Sequence, residues 1–137
     1  MKPKTYKGGC LCGSIRFCAI GPAAKPHTCS CRMCRQHTGS LTACWVEFEK
    51  GSVTWTGPGG PPTLFRSSEY SNRAFCPVCG SSIGAVDDAL VIAVLLGAFD
   101  KPGAEELAPV SHSYRGKRPK WWHVSVSQIQ KVHEPSE

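Results

Sequence analysis

Cys29-Ser30-Cys31-Arg32-Met33-Cys34 constrains this chain more than any other stretch. Three thiols fall within six residues, with an arginine directly after the second and another, Arg35, directly after the third. Packing alone seldom clusters thiols this tightly. The thiolate is the form that binds metal, and neighbouring cations favour it. Zn²⁺ takes four ligands, with Zn–S near ~2.3 Å, so three thiolates from one turn supply most of a shell. Three local ligands with no adjacent fourth is what an open, catalytic-type site requires.

Two further knuckles flank the first. Gly8-Gly9-Cys10-Leu11-Cys12-Gly13 offers paired glycines for a tight turn and a C-x-C spacing that lets both sulfurs converge on one ion. Cys76-Pro77-Val78-Cys79-Gly80 is a C-P-x-C-G knuckle, a strong zinc signal whose turn amides can bond the sulfurs. Structural zinc is four-coordinate and closed, so a partition into Cys10/Cys12/Cys76/Cys79 and Cys29/Cys31/Cys34 is natural. Spacing alone does not prove it, and a pairing of the Cys34 and Cys76 knuckles stays open. His37 and Cys44 are the candidates to fill a fourth position on the triple. For His37 a surface or supporting role is the stronger reading, and for Cys44 a place in the core. Cys18 reads as a small buried residue. Arg32 and Arg35 are candidates to clamp substrate carboxylates bidentately, set against a solvated surface with a mild effect on the thiolates.

The nine cysteines are an odd count in short pairs, which suits metal ligation in a reducing cytosol better than a disulfide framework. The N-terminus has charge but no apolar run behind it, so no signal peptide is expected. Ala89 to Ala98, the longest apolar stretch, is too short to span a bilayer. These features predict a cytoplasmic protein with no membrane partner. Hydrophobic content of 41% and charged content of 19% suit one globular domain over residues 1–137. Seven zinc-bound thiolates around two Zn²⁺ ions would halve the formal charge of +6, which is therefore poor evidence for a nucleic-acid partner. Basic residues Arg115, Lys117, Arg118 and Lys120 read as a solvated loop.

The fold class is mainly β. Ser14–Ile20, Leu41–Phe48, Ser52–Thr56, Thr63–Ser67, Ser81–Val86 and Leu90–Leu96 read as strands, with Gly21–Pro26 as a loop. Cys31 and Cys34 fit a tight loop or a first helical turn closed by Gly39, and no longer helix is expected. Val124, Val126 and Ile129 suggest a closing strand, and Trp121 and Trp122 suggest core packing.

Gly9-Cys10-Leu11-Cys12-Gly13-Ser14-Ile15-Arg16-Phe17 resembles the opening motif of the glutathione-dependent formaldehyde-activating enzyme family. Cys29-x-Cys31-x-x-Cys34-Arg35 with Gly39 is similar to its second motif, and Phe75-Cys76-Pro77-Val78-Cys79-Gly80 to its third. His112, nine residues before Trp121, matches the family's C-terminal spacing. The motifs span residues 8–122. The resemblance implies an antiparallel β fold of the tent type with two zinc ions per chain. It also implies that Cys10, Cys12, Cys76 and Cys79 hold a structural zinc, while Cys29, Cys31 and Cys34 hold the active one. Ser30 departs from the family's frequent histidine at that position, and the chain is shorter than the founding enzyme.

The expected function is a carbon–sulfur lyase acting on thiol adducts, with glutathione plus formaldehyde as the family's reaction. His37, Arg32 and Arg35 are the expected substrate-binding residues. The rival reading is a zinc-stabilised module that binds nucleic acid or protein without catalysis.

Overall fold

The computed structural model describes residues 2–126. Ten strands form two sheets: β1 Thr5–Gly9, β2 Arg16–Ile20, β3 Ala24–Cys29, β4 Ala43–Glu49, β5 Val53–Trp55, β6 Thr63–Arg66, β7 Ser71–Phe75, β8 Ser82–Asp87, β9 Val91–Leu95 and β10 His112–Ser113. One helix, α1 Arg32–Thr38, and a few 3₁₀ turns complete the described residues. The smaller sheet has the order β1-β2-β5, and the larger runs β10-β3-β4-β9-β8-β7-β6. Neighbours pair antiparallel throughout except β10, which lies parallel to β3.

Alternation along β4 shows how the large sheet is used. Val46 and Phe48 face the small sheet and meet Phe17, Ala19, Ile92, Val94, Phe99 and Leu107 in the main core. The Phe99 ring sits 5.3 Å from that of Phe17 and 6.3 Å from that of Phe48. Ala43 and Trp45 project to the opposite face, where they pack with Cys29, Cys34, Ala85 and Leu95 under α1. A third cluster, Cys10, Ile15, Ala74, Cys76 and Ile83, underlies the first and third knuckles. The sheets are also joined directly, through a bridge between Gly8 and Phe99. A Cβ at Gly8 would overlap the Ala98 carbonyl oxygen and stand 2.6 Å from Phe17 Cζ, so only glycine fits that approach.

The expected strands are present within a residue or two of their expected ends. Gly21–Pro26 is a correction: β3 already begins at Ala24, and its register with β4 shifts between Ala24 and His27. Lys25 has a positive φ of 48° and Pro26 lacks an amide hydrogen, which together hide the strand from a pattern search. The closing strand is a second correction. Val124 and Val126 lie in no strand, and Ile129 falls outside the described residues. The C-terminal segment pairs earlier, through His112 and Ser113, against Thr28 and Cys29. Nor are the tryptophans core residues: Trp121 is 72% exposed and Trp122 36%. No helix is long and apolar enough to cross a membrane among the described residues.

Candidate metal centres and substrate cavity

The first and third knuckles meet. Cys10 and Cys12 follow β1, Cys76 and Cys79 lie in the turn after β7, and all four sulfurs are within 4.8 Å of one another. Cys12 Sγ is 3.6 Å from Cys10 Sγ and 3.8 Å from Cys76 Sγ. Backbone amides already point at these sulfurs. Ile15 N–H donates to Cys10 Sγ at 3.2 Å, and the amides of Val78 and Cys79 donate to Cys76 Sγ at 3.4 Å each. Gly13 and Gly80, with φ of 82° and 79°, turn the two loops. The Ser81 hydroxyl, 3.1 Å away, and then its amide hold the Cys79 thiol down at about 5. Four converging thiols with amide support form a closed ligand set for a metal ion.

The second knuckle forms a separate group. Cys29 ends β3, Cys31 caps α1, and Cys34 sits in its first turn, with the three sulfurs within 4.8 Å of one another. Cys34 N–H donates to Cys31 Sγ at 3.3 Å, so the cap itself sets the spacing. At the other end Gly39 takes a φ of 75° and its amide reaches Arg35 O. A hydrogen bond from the Cys29 thiol holds Cys34 down at about 5; burial opposes this, and Arg73 reinforces it. The same bond, with burial, pushes the Cys29 thiol up. Among the described residues no fourth histidine, cysteine or carboxylate joins this group.

His37 and Cys44 stand apart from it. The His37 ring stacks on Trp45, with centroids 6.4 Å apart, and its Nδ1 is 3.4 Å from Arg73 Nη1. Burial, then the Arg73 charge, keep its pKa below the ordinary histidine value. Cys44 points to the face of β4 opposite Trp45 and lines an open cavity of about 820 Å³ together with Cys10 and Cys79. Burial pushes its thiol up. Cys18 is half-buried and belongs to neither group.

A cavity of about 220 Å³ opens onto Cys29 and Cys34. The register across the large sheet builds it: Glu47, Ala93, Ala85 and Arg73 are successive cross-strand partners on β4, β9, β8 and β7. Two alanines in the middle leave a trough between Glu47 and Arg73. Arg32 lines an adjoining cavity of about 470 Å³ with Met33, His37, Phe65 and Arg73. Arg35 lines neither.

Arg73 is the residue that sequence reasoning missed. Its guanidinium lies 5.1 Å over the Trp45 ring and 3.7 Å from Cys34 Sγ, and it borders both cavities. Its one sequence cue is position, three residues before Cys76 on the strand feeding the third knuckle. Ser30, between two ligand cysteines, is fully buried and hydrogen-bonded to Thr42 Oγ1 and His112 Nε2, both at 2.9 Å.

Comparison with known proteins agrees with this architecture. Residues 5–117 match the family described as glutathione-dependent formaldehyde-activating enzyme. An uncharacterized lyase of Schizosaccharomyces pombe is 32% identical over 78 residues, a match covering 57% of this chain and 55% of that protein. The chain thus spans about half the length of this curated relative. A Rhodobacter sphaeroides protein of known crystal structure, a structural genomics target, superposes with a TM-score of 0.61 at 18% identity. That superposition covers 78% of this chain and 99% of the other, and it supports the fold alone.

Proposed function

Because the chain belongs to the glutathione-dependent formaldehyde-activating enzyme family, we propose that it is a zinc-dependent carbon–sulfur lyase acting on thiol adducts. The observation that carries this reading is the three-cysteine group without a fourth described ligand, opening onto its own cavity. The lyase name of the yeast relative supports the same class. In the reaction a thiol sulfur forms a bond to the carbon of an aldehyde and the thiol proton passes to the carbonyl oxygen; the reverse breaks the same bond. With glutathione and formaldehyde, the pair in the family's name, the product is S-hydroxymethylglutathione.

The donor sets fit zinc: soft thiolates, four closed by amide hydrogen bonds and three left open. Held by Cys29, Cys31 and Cys34, a zinc ion supplies Lewis acidity and stabilises a thiolate. The protein's own residues do the rest. The Cys29 thiol first, and Arg73 after it, hold the Cys34 thiol down, and the Arg73 cation would stand beside a thiol bound there. Trp45 and the alanine floor bring the partners together, and proximity of this kind lowers the barrier without new covalent chemistry. Arg32, which lines the adjoining cavity, would bind a carboxylate of the thiol. Cys10, Cys12, Cys76 and Cys79 hold the second zinc, which ties the β1–β2 loop to the β7–β8 turn. Nine cysteines without a disulfide suit a cytoplasmic setting.

Exchange NMR on glutathione and formaldehyde, with and without the zinc-loaded protein, tests the reading. The adduct also forms unaided, so the observable is the exchange rate rather than its accumulation. Acceleration lost in Cys29→Ser supports the assignment. A rate equal to buffer, with two zinc ions per chain verified, rejects the family reaction.

A further inference from the structure

The cavity of about 470 Å³ beside the triple-cysteine group carries an apolar wall that the reading above does not use. Three elements build it: Met33 comes from α1, Phe65 from β6 and Phe75 from the end of β7. Met33 is 39% exposed and Phe65 64%, so both present apolar surface to whatever enters. Strand register explains the placement. Phe65 is the direct cross-strand partner of Arg73, which puts both on one face of the sheet. Arg73 and Met33 border this cavity and the trough at Cys29 and Cys34 alike. The two spaces therefore adjoin at the guanidinium that lies 3.7 Å from Cys34 Sγ. Arg32 joins Arg73 in the wall, and among the described residues no carboxylate lines it.

Single exposed apolar side chains are ordinary on a protein surface. Three that converge on one cavity beside a candidate reaction centre ask for an apolar ligand group. The family's named pair leaves this wall bare. Glutathione brings an amine, carboxylates, amides and a thiol but no apolar side chain, and formaldehyde brings one carbon. A thiol carboxylate at Arg32 answers the positive charge of the cavity and not its aromatic side. The new bond joins sulfur to the carbonyl carbon, so any substituent of that carbon starts one atom from the sulfur. We propose that the aldehyde partner carries an apolar chain or ring, which lies on Met33, Phe65 and Phe75. This rests on the thiol-adduct reading and names its substrate class: hemithioacetals of larger aldehydes. The covalent step is unchanged, with the sulfur bonding the carbonyl carbon and the thiol proton passing to the oxygen.

Exchange NMR on glutathione with formaldehyde, propanal or hexanal, with and without the zinc-loaded protein, tests this. Each rate is divided by the buffer rate for the same aldehyde, which removes the differing reactivity of the carbonyls. A fully buried methylene is worth about fourfold, and on this open wall about twofold or more is expected. The enhancement for hexanal should therefore exceed that for propanal by about eightfold or more. Phe65→Ser and Met33→Gln, with zinc content verified, should each lower that hexanal-to-propanal ratio. Both side chains are exposed, so neither substitution opens a hole in the core. Equal enhancements for propanal and hexanal, or a ratio that survives both substitutions, overturn this inference and leave the thiol site standing. A gain found with butanethiol and formaldehyde instead puts the apolar group on the thiol and overturns it as well. Absence of Cys29-dependent acceleration for every aldehyde rejects the thiol-adduct reading itself, and this inference with it.

Discussion

The hydroxyl of Ser30 lies 2.9 Å from Nε2 of His112, a contact between residues 82 positions apart. It is the inner end of a chain of hydrogen bonds. The Trp122 indole donates to Thr42 Oγ1 at 2.8 Å, and Thr42 Oγ1 bonds Ser30 Oγ. Main-chain bonds run beside it, from Thr28 N–H to Ser111 O and from Ser30 N–H to Ser113 O. The C-terminal segment therefore grips the loop that carries Cys29 and Cys31.

Ser30→Ala removes a buried hydroxyl and strips one partner from His112 and one from Thr42. An unsatisfied buried polar group costs about 1–3 kcal/mol. Urea unfolding should show a loss of that size, and a chelator should extract the ion of the triple-cysteine group faster than in the parent. Trp122→Phe breaks the exposed end of the chain, and its effect should be smaller.

The two thiol groups predict different responses to ligand loss. Cys34→Ser should lower the metal content from two ions to one per chain by native mass spectrometry, with the fold retained, because β3, β4 and β9 hold that face without it. Cys76→Ser should be far more damaging. Cys76 is fully buried, accepts two amide hydrogen bonds and joins two distant loops. Its loss should leave little folded protein in circular dichroism at ambient temperature, since binding at a structural metal site is itself folding free energy.

How far the sequence revealed these features depended on how local each one was. The three knuckles were legible because a metal demands several ligands from a few adjacent residues, and that spacing is written in the chain. Six of the ten described strands showed through alternation or a β-branched and aromatic composition. Arg73 and Glu47 were not legible as the walls of one cavity, because they come into one row through the register of β4, β9, β8 and β7. No single segment records that the two positions between Glu47 and Arg73 are alanines. β3 was masked by Lys25 and Pro26 at its bulge. Trp121 and Trp122 misled because an aromatic residue carries no mark of whether it packs inside or lies on the surface.

Arg73 extends the open site's hold on metal toward lower pH. Cys34 is held at about 5, against an ordinary value of 9.0, first by the Cys29 thiol and further by Arg73. A depressed thiol pKa means that the proton competes less well with a metal at that sulfur, so the metal is held to lower pH. Arg73→Gln removes one of the forces lowering the pKa, so the proton competes at higher pH. Zinc release from the triple-cysteine group, followed with a chromogenic chelator, should shift its midpoint upward in pH. Among the described residues no sulfur of the four-cysteine group bonds Arg73, so that group should release as in the parent.

Gly8→Ala tests the junction between the sheets. The added methyl would overlap Ala98 O and crowd the Phe17 ring, and neither the backbone nor a buried aromatic yields cheaply. Overpacking of this kind costs about 1–3 kcal/mol. Thermal unfolding should record the loss, while the zinc-loaded protein keeps two ions per chain.

Ala93→Leu separates cavity shape from stability. Ala93 is half-buried, sits between Glu47 and Ala85 in the cross-strand row, and lines the cavity beside Cys29. A larger side chain there projects into open space rather than into packed core, so its cost in stability should stay below the about 1–3 kcal/mol of core overpacking. It fills the trough between Glu47 and Arg73 that a thiol adduct would occupy. Adduct exchange should fall at least about tenfold, or about 1.4 kcal/mol in barrier, with metal content unchanged. Unchanged exchange in a folded, zinc-loaded Ala93→Leu would move the reacting thiol out of this trough and into the adjoining cavity lined by Arg32 and Phe65.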